Sequence, residues 1–272
     1  MSKLNAGLVQ TSLAEASIAR LDQLEVFGSI ASTNTHLLTQ PAPAAGRFRV
    51  AIADHQTSGR GRHNRRWLSP PGSGLCLSLA YTFAAQREDL PALTLALGVG
   101  ILGGLQSLDV GGISLKWPND IVALDGKLGG VLTEVQSGIG AGVTVVTGIG
   151  LNIDLPDDLD FGLESDWALR SVDLKSIAAD VPERELIAGA LIGSMHVAMA
   201  TFDAQGFDAF IESWQRHDWL RGKEITVDLL EQRITGIAAG VDADGALIID
   251  TGEERTRVIS GSIVVANLVD KA

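Results

Sequence analysis

Four arginines in one short segment are the strongest chemical signal in a chain that is otherwise acidic. The segment reads Gly59-Arg60-Gly61-Arg62-His63-Asn64-Arg65-Arg66-Trp67. Glycines let backbone N–H groups approach an anion, and guanidinium groups bind phosphate or carboxylate through paired hydrogen bonds. The pattern indicates a loop that grips phosphate, while a solvated basic loop or a nucleic-acid patch would have the same composition.

Two lysines form a second concentration of charge. The chain has only six lysines, and Lys116 and Lys127 lie eleven positions apart, in the segments KWPND and KLGG. Lys116 ends one predicted strand and Lys127 begins another after an Asp125-Gly126 turn, so a hairpin would bring both to one area. A structural role, in which a lysine at a strand end pairs with Asp120 or Asp125, stays open.

Neither signal is accompanied by a nucleophile of the kind used in covalent catalysis. The sequence has no Ser/His/Asp or Cys/His arrangement, and its single cysteine, Cys76, falls in an alternating β segment where a buried structural role is expected. No Cys/His spacing suits a structural zinc ion, so no metal-ligating residue is assigned. One unpaired cysteine indicates a reducing, cytoplasmic setting.

Short strands and helices must position these residues. Ser32, Thr33 and Asn34 suit the start of a helix that runs towards Thr39. Residues 54–74 are polar, rich in glycine and punctuated by proline, so they predict a long functional loop. Strands are predicted over residues 24–31, 49–53, 75–83, 113–116, 121–124, 128–135 and 143–149.

Two apolar segments, 90–108 and 186–202, require a choice between a core helix and a membrane span. The first is uncharged but contains a proline and four glycines, and the second contains a histidine. Both are predicted to be buried helices of a soluble protein. The second helix is expected to start near Asp180 and Glu183 and to continue to about His217.

Charge and length restrict the class of protein. The 272 residues include 21 basic and 33 acidic ones, for a formal net charge of −12. This balance disfavours general affinity for nucleic acid or an anionic membrane, so an anion-binding site has to be local. The length predicts about two domains. Short β segments separated by glycine turns begin near Arg221 and predict a small β-barrel.

Several motifs, in their order along the chain, resemble those of the biotin protein ligases. They are STN at residues 32–34, GRGRHNRRW at 59–67, KWPND at 116–120, KLGGVLTE at 127–134 and GIGLN at 148–152. The resemblance implies an α+β fold. A mixed-sheet catalytic domain like that of class II aminoacyl-tRNA synthetases would occupy residues 1–220, and a small SH3-like barrel would occupy 221–272. Whether residues 1–23 are ordered or form a disordered extension stays open.

The resemblance also implies a reaction in two steps. Biotin and MgATP form biotinyl-5′-adenylate and pyrophosphate, and a lysine of a biotin carboxyl carrier protein then attacks the mixed anhydride. ATP and Mg²⁺ are therefore the expected cofactors, and the carrier protein is the expected partner. Such chemistry depends on charge, because fixed cations offset the repulsion between the biotin carboxylate and the α-phosphate.

Roles for individual residues follow from the same resemblance. The biotin site would comprise Ser32, Thr33, Asn34, Gln56, Gly59, Arg60, Lys127 and Gly130. The catalytic set would comprise Lys127, Arg60, Arg62, Asp120 and Lys116. The site for ATP and the adenylate would comprise Arg62, Arg65, Trp67, Asn119, Asn152 and Trp167. Asp120 would either orient the acceptor lysine or act through the metal ion.

Two features depart from the family pattern. Asn64 stands where a glycine is expected in the arginine loop, so the backbone there is expected to differ. Residues 154–166 contain six acidic residues and no basic one, in the place of the loop that covers the adenylate. Closure of this segment is expected to depend on Trp167, the aromatic residue that would stack on adenine.

The length of chain before Ser32 predicts which type of biotin protein ligase this is. Only 31 residues precede Ser32, which is too few for the winged helix-turn-helix of ligases that also repress transcription. The sequence therefore predicts a monofunctional ligase that binds neither DNA nor membrane, and it leaves a homodimer open. The nearest alternative is a lipoate protein ligase or octanoyltransferase of the same fold. A more distant one is a nucleic-acid-binding protein without enzymatic activity.

Overall fold

Seven strands form a mixed sheet that carries both groups of charged residues. The computed structural model describes residues 4–136, 142–156, 169–229 and 232–265, with only the backbone of Asn64. The strands are β1 (Leu21–Phe27), β2 (Phe48–Ala53), β3 (Gly74–Phe83), β4 (Ile113–Lys116), β5 (Asp120–Ala123), β6 (Gly126–Gln136) and β7 (Val143–Asn152). Their order across the sheet is β1-β2-β3-β7-β6-β5-β4. Among the described pairs, β1 and β2 run parallel and the others run antiparallel.

Residues before the sheet form two short helices, α1 (Ala6–Thr11) and α2 (Glu15–Ile18). The buried side chains of Leu4, Val9 and Leu13 belong to the main hydrophobic core. This N-terminal segment therefore contributes apolar side chains to the core of the molecule. Strand β1 also begins earlier than its sequence pattern indicates, because pairing with β2 extends back to Leu21.

Helices cover both faces of the sheet. They are α3 (Thr33–Leu38), α4 (Leu90–Gln106), α5 (Arg184–Gln205) and α6 (Asp208–His217). Alternate residues of β2 point to opposite faces. Phe48, Val50 and Ile52 join α4 and α5 in the main core, whereas Ala51 packs with Leu37 of α3.

The prediction of one helix ending near His217 is wrong, because the chain turns between α5 and α6. Gly206 has φ 67° and ψ −161°, a conformation that no helix contains and that glycine adopts readily. Helix α5 begins at Arg184, and its N-cap residue, Glu183, makes no side-chain capping bond. Within the described residues α5 is the one helix long and apolar enough to cross a membrane, but its buried side chains belong to the core.

The C-terminal part forms a second, five-stranded antiparallel sheet. Its strands are β8 (Glu224–Asp228), β9 (Arg233–Val241), β10 (Leu247–Asp250), β11 (Arg255–Val258) and β12 (Ser262–Val265), in the order β11-β10-β9-β8-β12. The indole Nε1 of Trp117 donates a buried hydrogen bond of 3.0 Å to the carbonyl of Gly245 and so joins the two sheets. A mixed sheet with helices followed by a small β-barrel confirms the expected α+β class.

Candidate active site

A cavity of about 710 Å³ lies where the arginine loop, the β4–β6 hairpins and the barrel meet. We call it the central cavity. Its described lining includes fourteen of the predicted site residues. They are Ser32, Thr33, Asn34, Gln56, Arg60, Arg62, Arg65, Trp67, Lys116, Asn119, Asp120, Lys127, Gly130 and Asn152. Gly59 contributes to a neighbouring depression, and Trp167 lies outside the described residues.

One carboxylate holds both lysines of the predicted catalytic set. Asp120 Oδ1 lies 2.6 Å from Lys127 Nζ, and Asp120 Oδ2 lies 3.5 Å from Lys116 Nζ. The hairpin that was expected to bring the lysines together is present, because β5 pairs with both β4 and β6. Two lysines therefore share one carboxylate.

Burial and charge act against each other in this group. Burial lowers the pKa of Lys116, and Asp120 opposes that effect. Burial alone would raise the pKa of Asp120, but Lys127 and Lys116 hold it below the usual value. Asp120 is therefore ionised at neutral pH, and it favours the charged form of a lysine that is almost completely buried.

Backbone bonds fix Lys127 at the start of β6. Its N–H donates to the Arg170 carbonyl at 2.7 Å, and its carbonyl accepts from the N–H of Val172 at 3.0 Å. Asn152 Nδ2 also donates to the carbonyl of Lys127, at 3.3 Å. The lysine Nζ lies 5.8 Å from the ring centroid of Trp67, within the range of a cation–π contact.

Asn152 and Asn119 have structural partners at the cavity wall. Asn152 Nδ2 donates to the carbonyls of Lys127 and Val172, so both of its amide hydrogens are engaged. Asn119 Nδ2 donates to the carbonyl of Val131 at 2.8 Å. These bonds fasten both asparagines to β6, the strand that carries Lys127.

We call residues 59–67 the arginine loop, and backbone hydrogen bonds join its two ends. Trp67 N–H donates to the Gly59 carbonyl at 3.0 Å, and Gly61 N–H donates to the Arg65 carbonyl at 2.7 Å. A Cβ at position 59 would lie 2.4 Å from the carbonyl oxygen of Trp67, so this position requires glycine. The left-handed conformation falls on His63, with φ 53°, one residue before Asn64, where the family pattern predicted a glycine.

The arginines of the loop have partners on two sides. Arg60 Nη2 lies 2.6 Å from Glu134 Oε2. Arg62 and Arg65 donate to the hydroxyls of Ser260 and Ser262 at 3.4 and 3.3 Å, and so reach the barrel. Burial lowers the pKa of Arg62, against the opposing effect of Asp120. The loop therefore lines the central cavity and connects it with the barrel.

Uncharged polar groups line another part of the cavity. Ser32 caps α3, and Gln56 Oε1 accepts from both the N–H and the hydroxyl of Thr33, at 2.7 and 3.1 Å. The Ser78 hydroxyl lies 2.7 Å from Thr33 Oγ1 and 2.6 Å from Asn34 Oδ1. Such fixed donors and acceptors suit a neutral polar ligand group.

Sequence reasoning did not assign Ser78 or Glu134. Ser78 is fully buried in β3 and was detectable as a hydroxyl residue within an apolar strand. Glu134 accepts from Asn34 Nδ2 at 2.9 Å and pairs with Arg60, so it connects the uncharged cluster with the arginine loop. It ends the KLGGVLTE motif, but only the fold shows its two partners.

Cys76 has the structural role expected from its sequence context. It is buried, its thiol donates to Ser69 Oγ at 3.2 Å, and burial raises its pKa to about 11. The protonated thiol is a poor nucleophile.

The chain resembles known proteins over almost its whole length. Residues 26–152 match the biotin/lipoate A/B protein ligase family, and residues 221–265 match the biotin protein ligase C-terminal domain. A biotin–[acetyl-CoA-carboxylase] ligase from Mycobacterium tuberculosis is 31% identical over 253 residues, which are 89% of this chain and 88% of the relative. The bifunctional ligase/repressor BirA of Escherichia coli is 27% identical over 89% of this chain and 74% of its own length.

The fold is similar as well. A biotin protein ligase from Aquifex aeolicus, solved in complex with biotin and ATP, has a TM-score of 0.72 and 26% identity, covering 90% of this chain and 98% of the other. The motifs, the cavity and these similarities agree, and the chain belongs to the biotin protein ligase family.

Proposed function

We propose that the central cavity carries out both steps of biotin ligation, with Lys127 and the arginine loop as the groups that handle negative charge. The chain is an ATP-dependent biotin ligase that acts on a carrier protein. One observation carries the proposed assignment of residues. Two lysines that share the carboxylate of Asp120 line the same cavity as the arginine loop and the uncharged cluster around Gln56.

This arrangement matches the chemistry of the substrates. Biotin has a neutral ureido ring at one end and a carboxylate at the other. The uncharged cluster of Ser32, Thr33, Asn34 and Gln56 suits the ureido ring, because it offers fixed hydrogen-bonding groups. Lys127 suits the carboxylate and the α-phosphate, because an ammonium group between two anions reduces their repulsion.

In the first step, a biotin carboxylate oxygen attacks the α-phosphorus of ATP. The new P–O bond gives biotinyl-5′-adenylate, and the bond to the β-phosphate breaks to release pyrophosphate. Negative charge develops on the α-phosphate, where Lys127, Arg60 and Arg62 would stabilise it. Trp67, Arg65, Asn119 and Asn152 would form the nucleotide side of the site.

In the second step, the amine of a lysine on a biotin carboxyl carrier protein attacks the anhydride carbonyl. An amide bond forms, AMP leaves, and the amine loses a proton. We assign Asp120 the role of holding Lys116 and Lys127 in place, because its two oxygens already contact them. Because the reaction consumes ATP, we place it in the cytoplasm.

The described residues contain no ready-made cluster of protein ligands for Mg²⁺. Among them no three His, Cys, Asp or Glu side chains lie together as a metal-binding group. The Asp120 carboxylate in the cavity is occupied by two lysines. We therefore propose that Mg²⁺ enters with the phosphates of ATP, and no step is assigned to the ion.

The test is a pyrophosphate-release assay with purified protein. Release should require both biotin and ATP, and lipoate or octanoate should not replace biotin. Adding a biotin carboxyl carrier domain should produce AMP and a covalently biotinylated lysine, located by mass spectrometry. Pyrophosphate release supported equally by lipoate, or no biotin-dependent release at all, would contradict the proposal.

A further inference from the structure

The loop that carries the arginines connects two paired strands, since Ala53 of β2 lies opposite Cys76 of β3, and one guanidinium group contacts both of its ends. The loop leaves β2 after Ala53 and returns to the sheet at Gly74. Arg184, the first residue of α5, forms an ion pair through Nη1 with Asp54 Oδ1. Its Nη2 donates to the Gly74 carbonyl at 2.8 Å.

This contact is well shielded from solvent. The side chains of Arg184 and Asp54 are 13% and 17% exposed, and the two paired atoms are buried and make no hydrogen bond, so the contact is purely an ion pair. A cation in the first turn of a helix is electrostatically unfavourable, because the N-terminus already carries partial positive charge. The carboxylate of Asp54 offsets that cost, so the position of the arginine depends on the loop that it holds.

Both ends of this connection between β2 and β3, residues 54–73, lie next to residues of the proposed site. Gln56 follows Asp54 by two positions, and the intervening His55 carbonyl accepts from Ile30 N–H at 3.1 Å. At the other end, Gly74 pairs in register with Asn152, the residue that bonds to the Lys127 carbonyl.

We propose that Arg184 is a positioning residue that, with Asp54, fixes the arginine loop relative to Lys127. Among the described residues that line the central cavity, neither Arg184 nor Asp54 occurs. Arg184 therefore acts on the loop and does not touch the substrates. The kinetic part of this inference rests on the proposed function, whereas the structural part does not.

The first experiment measures loop mobility without substrates. Trypsin cleaves after arginine, and the loop contains Arg60, Arg62, Arg65 and Arg66 as natural cleavage sites. In Arg184→Met, we expect cleavage within the loop to be at least about tenfold faster, because β2 and β3 still hold the strand ends but Asp54 and the Gly74 carbonyl lose their shared partner. Arg216→Met is the matched control, because Arg216 is exposed and its one ion pair with a described residue is a 3.7 Å contact with exposed Glu212.

The second experiment measures pyrophosphate release as a function of biotin and ATP. For Arg184→Met, rates per folded molecule should show a KM for each substrate at least about fivefold higher and a lower kcat. Arg184→Lys keeps a charge for Asp54, but one ammonium group cannot serve both Asp54 and the Gly74 carbonyl as two guanidinium nitrogens do, so it should fall between wild type and Arg184→Met. Asp54→Asn should resemble Arg184→Met.

The results separate this inference from the proposed function. Unchanged loop cleavage together with wild-type KM values in folded Arg184→Met would overturn the positioning role. A loss of activity that only follows the unfolded fraction in a melting curve would also overturn it. If wild type lacks biotin-dependent pyrophosphate release, the proposed function fails, and the trypsin comparison still decides whether Arg184 restrains the loop. If Arg184→Met does not fold, Arg184→Lys and Asp54→Asn provide the same comparison.

Discussion

Replacing Asp120 by Asn should lower the rate of biotin-dependent pyrophosphate release. The loss should depend on pH, because Asp120 contacts both Lys116 and Lys127. The substitution keeps the size of the side chain but removes the charge that lies 3.5 Å from Lys116 Nζ and 2.6 Å from Lys127 Nζ. Lys116 is almost completely buried, and burial already lowers its pKa. Without Asp120, the pKa of Lys116 should fall further towards neutral pH.

The size of the change in the pKa of Lys116 is worked from its Coulomb interaction with Asp120. Coulomb's law with an effective dielectric constant of about 20 gives about 5 kcal/mol for unit charges 3.5 Å apart. The amide of Asn still solvates the ammonium group, so we take about half of this value. An energy of about 2.5 kcal/mol changes the ionisation equilibrium of Lys116 roughly seventyfold.

The assay is biotin-dependent pyrophosphate release between about pH 6.5 and pH 8.5. A lysine with a lowered pKa gains its proton as the pH falls, so the activity of Asp120→Asn should be lowest at the alkaline end and recover partly at the acidic end. In wild type, Asp120 stays ionised across this range because the lysines hold its pKa low. In wild type the ionised Asp120 opposes the effect of burial on the pKa of Lys116, so any alkaline loss of activity should begin at a higher pH than in Asp120→Asn.

Asp125→Asn provides the control. Asp125 lies on the exposed turn between β5 and β6, has φ 55°, which asparagine tolerates, and accepts a hydrogen bond from Trp219 Nε1 at 3.1 Å. Its replacement should leave the rate within about twofold of wild type. Equal losses at all pH values in Asp120→Asn, or full activity, would refute the electrostatic role of Asp120.

Three further changes test other parts of the site. Lys127→Ala should lower adenylate formation at least about a hundredfold, or about 3 kcal/mol, because one fixed charge contact in the transition state is lost; near-wild-type turnover in the folded variant would remove Lys127 from the catalytic set. Glu134→Gln should raise the KM for biotin about tenfold and also lower kcat, since the bond from Asn34 to a charged acceptor is weakened and the ion pair that holds Arg60 is lost. An unchanged KM for biotin in the folded variant would be inconsistent with this role. Cys76, whose pKa is raised to about 11, should resist iodoacetamide in the native protein at neutral pH and react only on unfolding, as followed by mass spectrometry; rapid alkylation of native protein would show that the thiol is accessible.

Local signals made part of this site predictable. Three of its features depend on residues that are close together in the sequence. They are the helix start at Ser32, the hairpin that joins Lys116 to Lys127, and the long loop with four arginines. Glycine, proline and capping residues have short-range effects, so the sequence records them directly.

Other features depend on partners that are distant in the chain. Glu134 is assigned by its contacts with Arg60 and Asn34, and Arg184 by its contacts with Asp54 and Gly74. The sequence alone does not show which of these distant residues lie in contact in the fold. The order of the N-terminal residues was open for the same reason, because it depends on burial against elements far along the chain. The assigned roles of individual residues in binding and catalysis stay predictions until they are tested.

The contact between the arginine loop and the barrel connects catalysis with the assembly of the molecule. Gly261, Ser262 and Ile263 form part of the cavity wall, and the barrel supplies the hydroxyl partners of Arg62 and Arg65. A chain whose barrel has not yet docked lacks that wall, even when its larger sheet is complete. Efficient formation of the proposed biotinyl-adenylate would then require a docked barrel. Measuring its formation would therefore indicate that the barrel has folded against the larger sheet.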